Sequence, residues 1–186
     1  MILCKPEILR YLEEKRLVIS PDIAEGAVDQ VSIDLRLGRK FTTFKTKDYL
    51  GSIRADPSIF ESLDLWDRQE SDSFHLAPGK LVLAQTLETI RIPPDLVGLV
   101  EGRSSWARLG VSIHITAPKI DPGFHGTITL EMANLGGATV ELRAVEDRPA
   151  QLILIRNTGG LQEEDLYGSD GSDIFQHQNE PIPRGR

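Results

Sequence analysis

The chain is 186 residues long, 40% hydrophobic and 26% charged, which is the composition of an ordinary globular protein and predicts one domain with its own core. Its formal net charge of −7 excludes a broad nucleic-acid footprint, which needs a basic face. It does not exclude a small phosphorylated ligand gripped by a few arginines.

The opening residues, MILCKPEILR, hold neither the long apolar region nor the cleavage site of a secretory signal. Nowhere does the chain offer the roughly 18 consecutive apolar residues that predict a membrane helix. A cytoplasmic protein with no membrane and no nucleic-acid partner is expected. The lone cysteine, Cys4, excludes an internal disulfide and reads as a small buried residue. Residues 6–16 predict a helix opened by Pro6, with Ile8, Leu9 and Leu12 turned to the core. A turn follows at Ser20-Pro21-Asp22.

Residues 31–38, VSIDLRLG, alternate as a half-buried strand, and Asp34 and Arg36 are expected to pair with each other or with neighbours. Residues 45–72 are polar and irregular and predict an extended loop. Beyond the Ala77-Pro78-Gly79 turn, residues 81–86 and 89–92 predict two strands, the second ended by Pro93-Pro94. Residues 96–100, 139–143 and 150–156 predict further strands. Short strands separated by Gly and Pro point to an all-β sandwich or barrel. After Thr158 the composition turns to Gly, Ser, Asp and Gln. Residues 1–157 therefore form the expected β domain and 158–186 a flexible tail, disordered at its end, with Ile174 to Pro181 able to order as a lid.

The chemistry-bearing residues concentrate between Glu101 and Glu131. Ser104 to Gly110 predict a short helix, started by a serine cap and ended at the glycine. Its N–H groups, hydroxyls and the side chains of Arg103 and Arg108 could bind an anion, or could be a solvated surface turn. Residues 111–117 alternate, with His114 on the polar side, where a hydrogen-bonded structural role is expected. Asp121-Pro122-Gly123 predicts a turn, in which Asp121 could bond its own backbone. In residues 127–133 Ile128, Leu130 and Met132 point inward. Glu131 shares the other face with threonines, where a mid-strand carboxylate is exposed, partnered or at work in a cleft.

These words together resemble the dCTP deaminases of the trimeric dUTPase-like superfamily. The likeness rests on SIDLRLG (32–38), LVLAQTLETIRIPPDLVGLVEG (81–102), GRSSWARLG (102–110), HITAPKIDPGF (114–124) and GTITLEMAN (126–134), in that order. It implies a mostly β fold, a distorted jelly-roll-like barrel with a short N-terminal helix, assembled as a homotrimer with sites between subunits. By that resemblance Glu131 is the general base for water attacking C4 of cytosine, a hydrolysis of a cyclic amidine C–N bond. Ser104 and Arg108 hold the water and the developing charge, helped by the backbone of Ala117. Arg103, Ser104 and Ser105 serve the triphosphate. Asp121 takes the 3′-hydroxyl, Phe124 crowds out a 2′-hydroxyl, and Lys119 and Gln178 complete the substrate contacts. Trp106 and Ile174 depart from the family, which carries leucine and lysine there, and Phe175 stands in place of a tyrosine.

The implied reaction takes dCTP to dUTP and ammonia. Mg²⁺ arrives with the triphosphate, and dTTP is an expected inhibitor. Zinc deaminases need a His/Cys/Cys ligand set and an H-x-E…P-C-x-x-C signature, so with one cysteine no zinc is expected. A bifunctional enzyme forming dUMP and pyrophosphate shares the same central residues. A catalytically dead nucleotide-binding trimer is the third alternative. A plain dUTPase is disfavoured, because the tail holds no glycine-rich phosphate cradle.

Overall fold

The computed structural model describes residues 1–45, 65–159, 161–171 and 173–181. Helix α1 (Lys5–Glu13) has proline in its first turn, as the sequence predicts, but buries Ile8 and Tyr11 while Leu9 is exposed. Tyr11 takes the core position because its polar tip finds a partner. Its hydroxyl donates a short hydrogen bond to Asp95, and the Arg16 guanidinium lies 4.3 Å over the ring. Cys4, expected inside, is exposed at the residue that leads into the helix.

Strands follow as β1 (Val18–Ser20), β2 (Ser32–Leu35), β3 (Lys40–Phe44), β4 (Trp66–Glu70), β5 (Ser73–Leu76), β6 (Leu81–Arg91) and β7 (Leu96–Gly102). After helix α2 (Ser104–Ala107) come β8 (Val111–Ser112), β9 (Lys119–Ile120), β10 (His125–Asn134), β11 (Val140–Arg143) and β12 (Ala150–Arg156). One sheet runs β4-β3-β6-β10-β8 with β1 also on β6; a second runs β2-β12-β7-β9; β5 and β11 pair separately. Ile33, Leu35, Val100, Leu152 and Leu154 of the second sheet share one core with Val82, Ala84, Ile90, Leu130 and Met132 of the first. The fold is mostly β. The expected jelly-roll-like closure is not found among the described residues, where the ladders form separate sheets.

Three predicted segments differ from what folds. Residues 66–70, placed in a loop, form β4, a nearly all-polar strand with no apolar alternation to reveal it; residues 46–64 of that loop lie outside the described residues. The alternation over 111–117 ends as a strand at Ser112, and Ile115 is exposed. The two strands expected at 81–86 and 89–92 are the single strand β6. Its apparent break is a bulge: Thr127 faces Thr89 but Thr129 faces Gln85. The Thr86 hydroxyl fills the gap, donating to Glu88 O at 2.8 Å and accepting from Ile128 N at 2.9 Å. Glu88 turns into the protein, 1% exposed, and accepts from Arg36 through both the backbone N–H (3.0 Å) and Nε (2.7 Å). Asp34 and Arg36 therefore do not pair with each other; Asp34 pairs with Arg103 at 3.2 Å.

Candidate active site

Strand β10 carries the site because its alternation works on both faces. Ile128, Leu130 and Met132 enter the core, as expected, and Thr129 and Glu131 face a cavity of about 470 Å³. Leu83 of β6 and Val100 of β7 supply apolar walls. The Asp121-Pro122-Gly123 turn forms as predicted, with Phe124 N bonded to Asp121 O at 3.1 Å and Gly123 at φ 90°. It delivers Asp121 and the buried Phe124 to the cavity.

The cavity brings together Ala117, Lys119, Asp121, Phe124, Glu131 and Gln178 of the residues singled out from sequence. Glu131 accepts from the backbone N–H of Ile115 at 3.0 Å, so one carboxylate oxygen is anchored. Asp121 pairs with Lys119 at 2.7 Å and not with its own turn backbone. His114 sits at the wall with Nε2 3.2 Å from Glu101, the partnered role expected of it. Among the described residues no group of three or more His, Cys, Asp or Glu is arranged to hold a metal ion, and no helix is long and apolar enough to cross a membrane.

Arg103, Ser104, Ser105 and Arg108 do not line this cavity. They surround α2, where Ser104, Ser105 and Arg108 are exposed. Arg103, not a serine, occupies the cap position, and no side chain caps the helix. Gly110 ends the turn at φ 86°, with a would-be Cβ 2.4 Å from Gly136 N, so only glycine fits. Two apolar side chains stand exposed beside these polar ones: Leu109 is 59% and Leu135 79% exposed.

The tail lies along the start of β10. Thr127 N donates to Gln178 O at 3.0 Å, Gln178 Nε2 returns to Thr127 O at 2.7 Å, and His125 N donates to Gln176 Oε1 at 2.8 Å. Tyr167 packs on Phe124 with centroids 6.0 Å apart, and its hydroxyl accepts from Phe175 N at 3.1 Å. Tyr167, Phe175, Thr129 and Trp66 line the cavity and were not among the site residues drawn from sequence. Thr129 was legible, since it shares a strand face with Glu131. The tail aromatics carry no periodic signal; their role comes from side-chain amides that pin the segment down.

His125 and His177 meet edge to face at 4.9 Å. Burial, then His177 and Arg91, push the His125 imidazole below its ordinary value. The packed arrangement thus favours neutral His125. The stability it contributes is present above the ordinary imidazole pKa of about 6.5 and is lost as pH falls through that value toward the lowered one. The protection of the Thr127 amide against hydrogen exchange is expected to drop from about pH 7.5 to about 5.5 and to stay flat in His125→Gln. Equal drops in both proteins would show that His125 is not responsible.

A family model described as dCTP deaminase-like matches residues 2–156. The chain belongs to the dCTP deaminase-like family. A protein of Dictyoglomus turgidum named "dCTP deaminase, dUMP-forming" is 42% identical over 145 residues, covering 76% of this chain and 74% of that protein. One of Methanosphaera stadtmanae with the same name is 40% identical over 180 residues, covering 92% and 86%. A solved 2′-deoxycytidine 5′-triphosphate deaminase from Agrobacterium tumefaciens aligns with TM-score 0.64 at 21% identity, over 88% of this chain. This chain spans half the length of that one. The dUTPase from phage phi11 of S. aureus aligns with TM-score 0.51 at 15% identity over 83% of this chain and 99% of that one, a likeness of fold.

The names of these dCTP deaminase-like relatives overturn one expectation. The sequence led to dUTP as the released product, whereas both relatives are named for forming dUMP. The error has a physical source. The family resemblance implies the same central residues in either case, so they do not report whether the nucleotide then loses pyrophosphate.

Proposed function

We propose that the chain is a dUMP-forming dCTP deaminase: dCTP and two waters give dUMP, ammonia and pyrophosphate. The observation that carries this reading is Glu131 anchored in one cavity with Asp121, Phe124 and Gln178, in a chain 40–42% identical to dUMP-forming relatives. Glu131 takes a proton from the water that attacks C4 and returns protons to N3 and to the departing amine. The backbone beside Ala117 orients that water. Asp121 releases Lys119 and accepts from the 3′-hydroxyl, Phe124 excludes a 2′-hydroxyl, and Tyr167 and Gln178 close the sugar and phosphate side. The substrate is the Mg²⁺ complex of dCTP, with the metal held through phosphates and water. The thymine nucleotide dTTP competes for the same cavity.

Arg103, Ser104, Ser105 and Arg108 act on the substrate of a neighbouring subunit in a trimer. Two observations support this. They lie outside their own chain's cavity, and the apolar fringe of Leu109 and Leu135 around them is a surface that a neighbour would cover. Purified protein given dCTP and Mg²⁺ is expected to release ammonia and pyrophosphate in equal amounts, with dUMP as the nucleotide resolved by ion exchange. Ammonia without pyrophosphate would refute dUMP formation; dCTP binding with neither product would leave an inactive nucleotide-binding protein.

A further inference from the structure

We propose that Asp34 is a positioning residue for phosphate binding, holding the Arg103 guanidinium so that its free edge meets the triphosphate. This rests on the reading above that Arg103 contacts the phosphates. Asp34 lies on β2, with its side chain only 14% exposed, and its Oδ2 is 3.2 Å from Arg103 Nη2. On the other side of the fork, Arg103 Nη1 donates to Arg148 O at 3.2 Å. The Arg103 backbone N–H is held in turn by Pro149 O at 3.0 Å. Two anchors thus grip one end of a planar group that carries five donors, and the remaining donors sit on a side chain that is 39% exposed.

The arrangement suits a group that must bind an anion at once. Arginine has many rotamers, and ordering them on binding weakens affinity; a guanidinium held in advance avoids that loss. Asp34 also lies in the field of the Arg148 guanidinium, so its charge offsets both cations. Burial raises the pKa of Asp34, and Arg103 and Arg148 draw it back, which ties its ionised form to the same two arginines. Asp34 touches the substrate at no point in this scheme; it acts through Arg103.

Steady-state kinetics on dCTP with Asp34→Asn, Arg103→Ala and the double variant tests this. Asp34→Asn is expected to raise KM roughly ten-fold, the size of one charge-assisted hydrogen bond, with kcat nearly unchanged. In the Arg103→Ala background the same change should add nothing. A merely structural role would lower the folded fraction and hence kcat, not KM. Should asparagine impair folding, Asp34→Ser, which leaves room for water beside the arginines, carries the same expectation. An increase that persists in the Arg103→Ala background overturns the inference, because Asp34 would then act on substrate or Mg²⁺ directly. Normal KM in Asp34→Asn alongside a raised KM in Arg103→Ala overturns this inference alone. Normal KM in Arg103→Ala overturns the phosphate role of Arg103 as well.

Discussion

Replacing Glu131 with glutamine is expected to slow ammonia release from dCTP by roughly 10²- to 10⁴-fold, the range spanned by loss of a general base. Binding of dCTP should change little. Glu131 accepts the Ile115 N–H at 3.0 Å through one oxygen, and a glutamine oxygen can accept the same bond. The strand, the cavity and the position of residues 113–118 are then preserved, and only the proton-accepting capacity is lost. Calorimetric titration with dCTP beside an ammonia assay separates the two quantities. Wild-type ammonia release with normal binding would remove Glu131 from the mechanism. Loss of both together would make Glu131 a residue that shapes the cavity, with its catalytic part undemonstrated. Pyrophosphate should fall in step with ammonia from dCTP if deamination comes first.

The largest stability effect is expected at Glu88. Its carboxylate is 1% exposed and takes two hydrogen bonds from Arg36, whose guanidinium also reaches Asp22 O at 3.1 Å. Glu88→Ala leaves a largely buried guanidinium without its counter-charge. Removing one partner of such a pair costs about 3–5 kcal/mol. Glu88→Gln keeps one acceptor oxygen for Arg36 but turns an amide NH2 toward the other donor, so it should cost less than alanine without being neutral. Urea unfolding at one fixed protein concentration reads both, since assembly would otherwise shift the midpoint. A loss under about 1 kcal/mol in Glu88→Ala would mean that water replaces the carboxylate and that the pair is dispensable. The position matters to the site because Glu88 lies in the bulge of β6, and the bulge sets the register of β10, on which Glu131 stands.

That bulge also marks where sequence reading stops. Strict alternation was enough for β12, whose bounds at 150–156 match the prediction, and for the inward face of β10. Turn chemistry was enough at Asp121-Pro122-Gly123 and at Gly110. Alternation failed at Leu87 and Glu88, because a bulge shifts the pattern and the residue that shifts it is a buried charge. It failed at β4, whose polar residues give no period at all. It misassigned Leu9 over Tyr11, because the partner that admits tyrosine to the core, Asp95, is 84 residues away in sequence. In the site, the motif residues of the cavity were legible from the family resemblance. Phe175 was legible only as the stand-in for a family tyrosine, and Tyr167 was not, since it reaches the cavity by packing on Phe124. The reaction product was the furthest from reach, as dUTP and dUMP differ by a second hydrolysis at the α-phosphate, on which the deamination motif is silent.

The cavity wall contributed by the tail is held at Tyr167 by packing against the core and beyond it by main-chain and amide hydrogen bonds to β10, while Gln176, His177 and Phe175 take no part in the shared core. Folding of the sheets and completion of the cavity beyond Tyr167 are therefore expected to be separable. A protein nicked between Tyr167 and Phe175 is expected to keep a melting curve like that of the intact chain and still bind nucleotide poorly. For this molecule, thermal stability alone is a poor surrogate for competence, and preparations are better ranked by how tightly they hold dCTP.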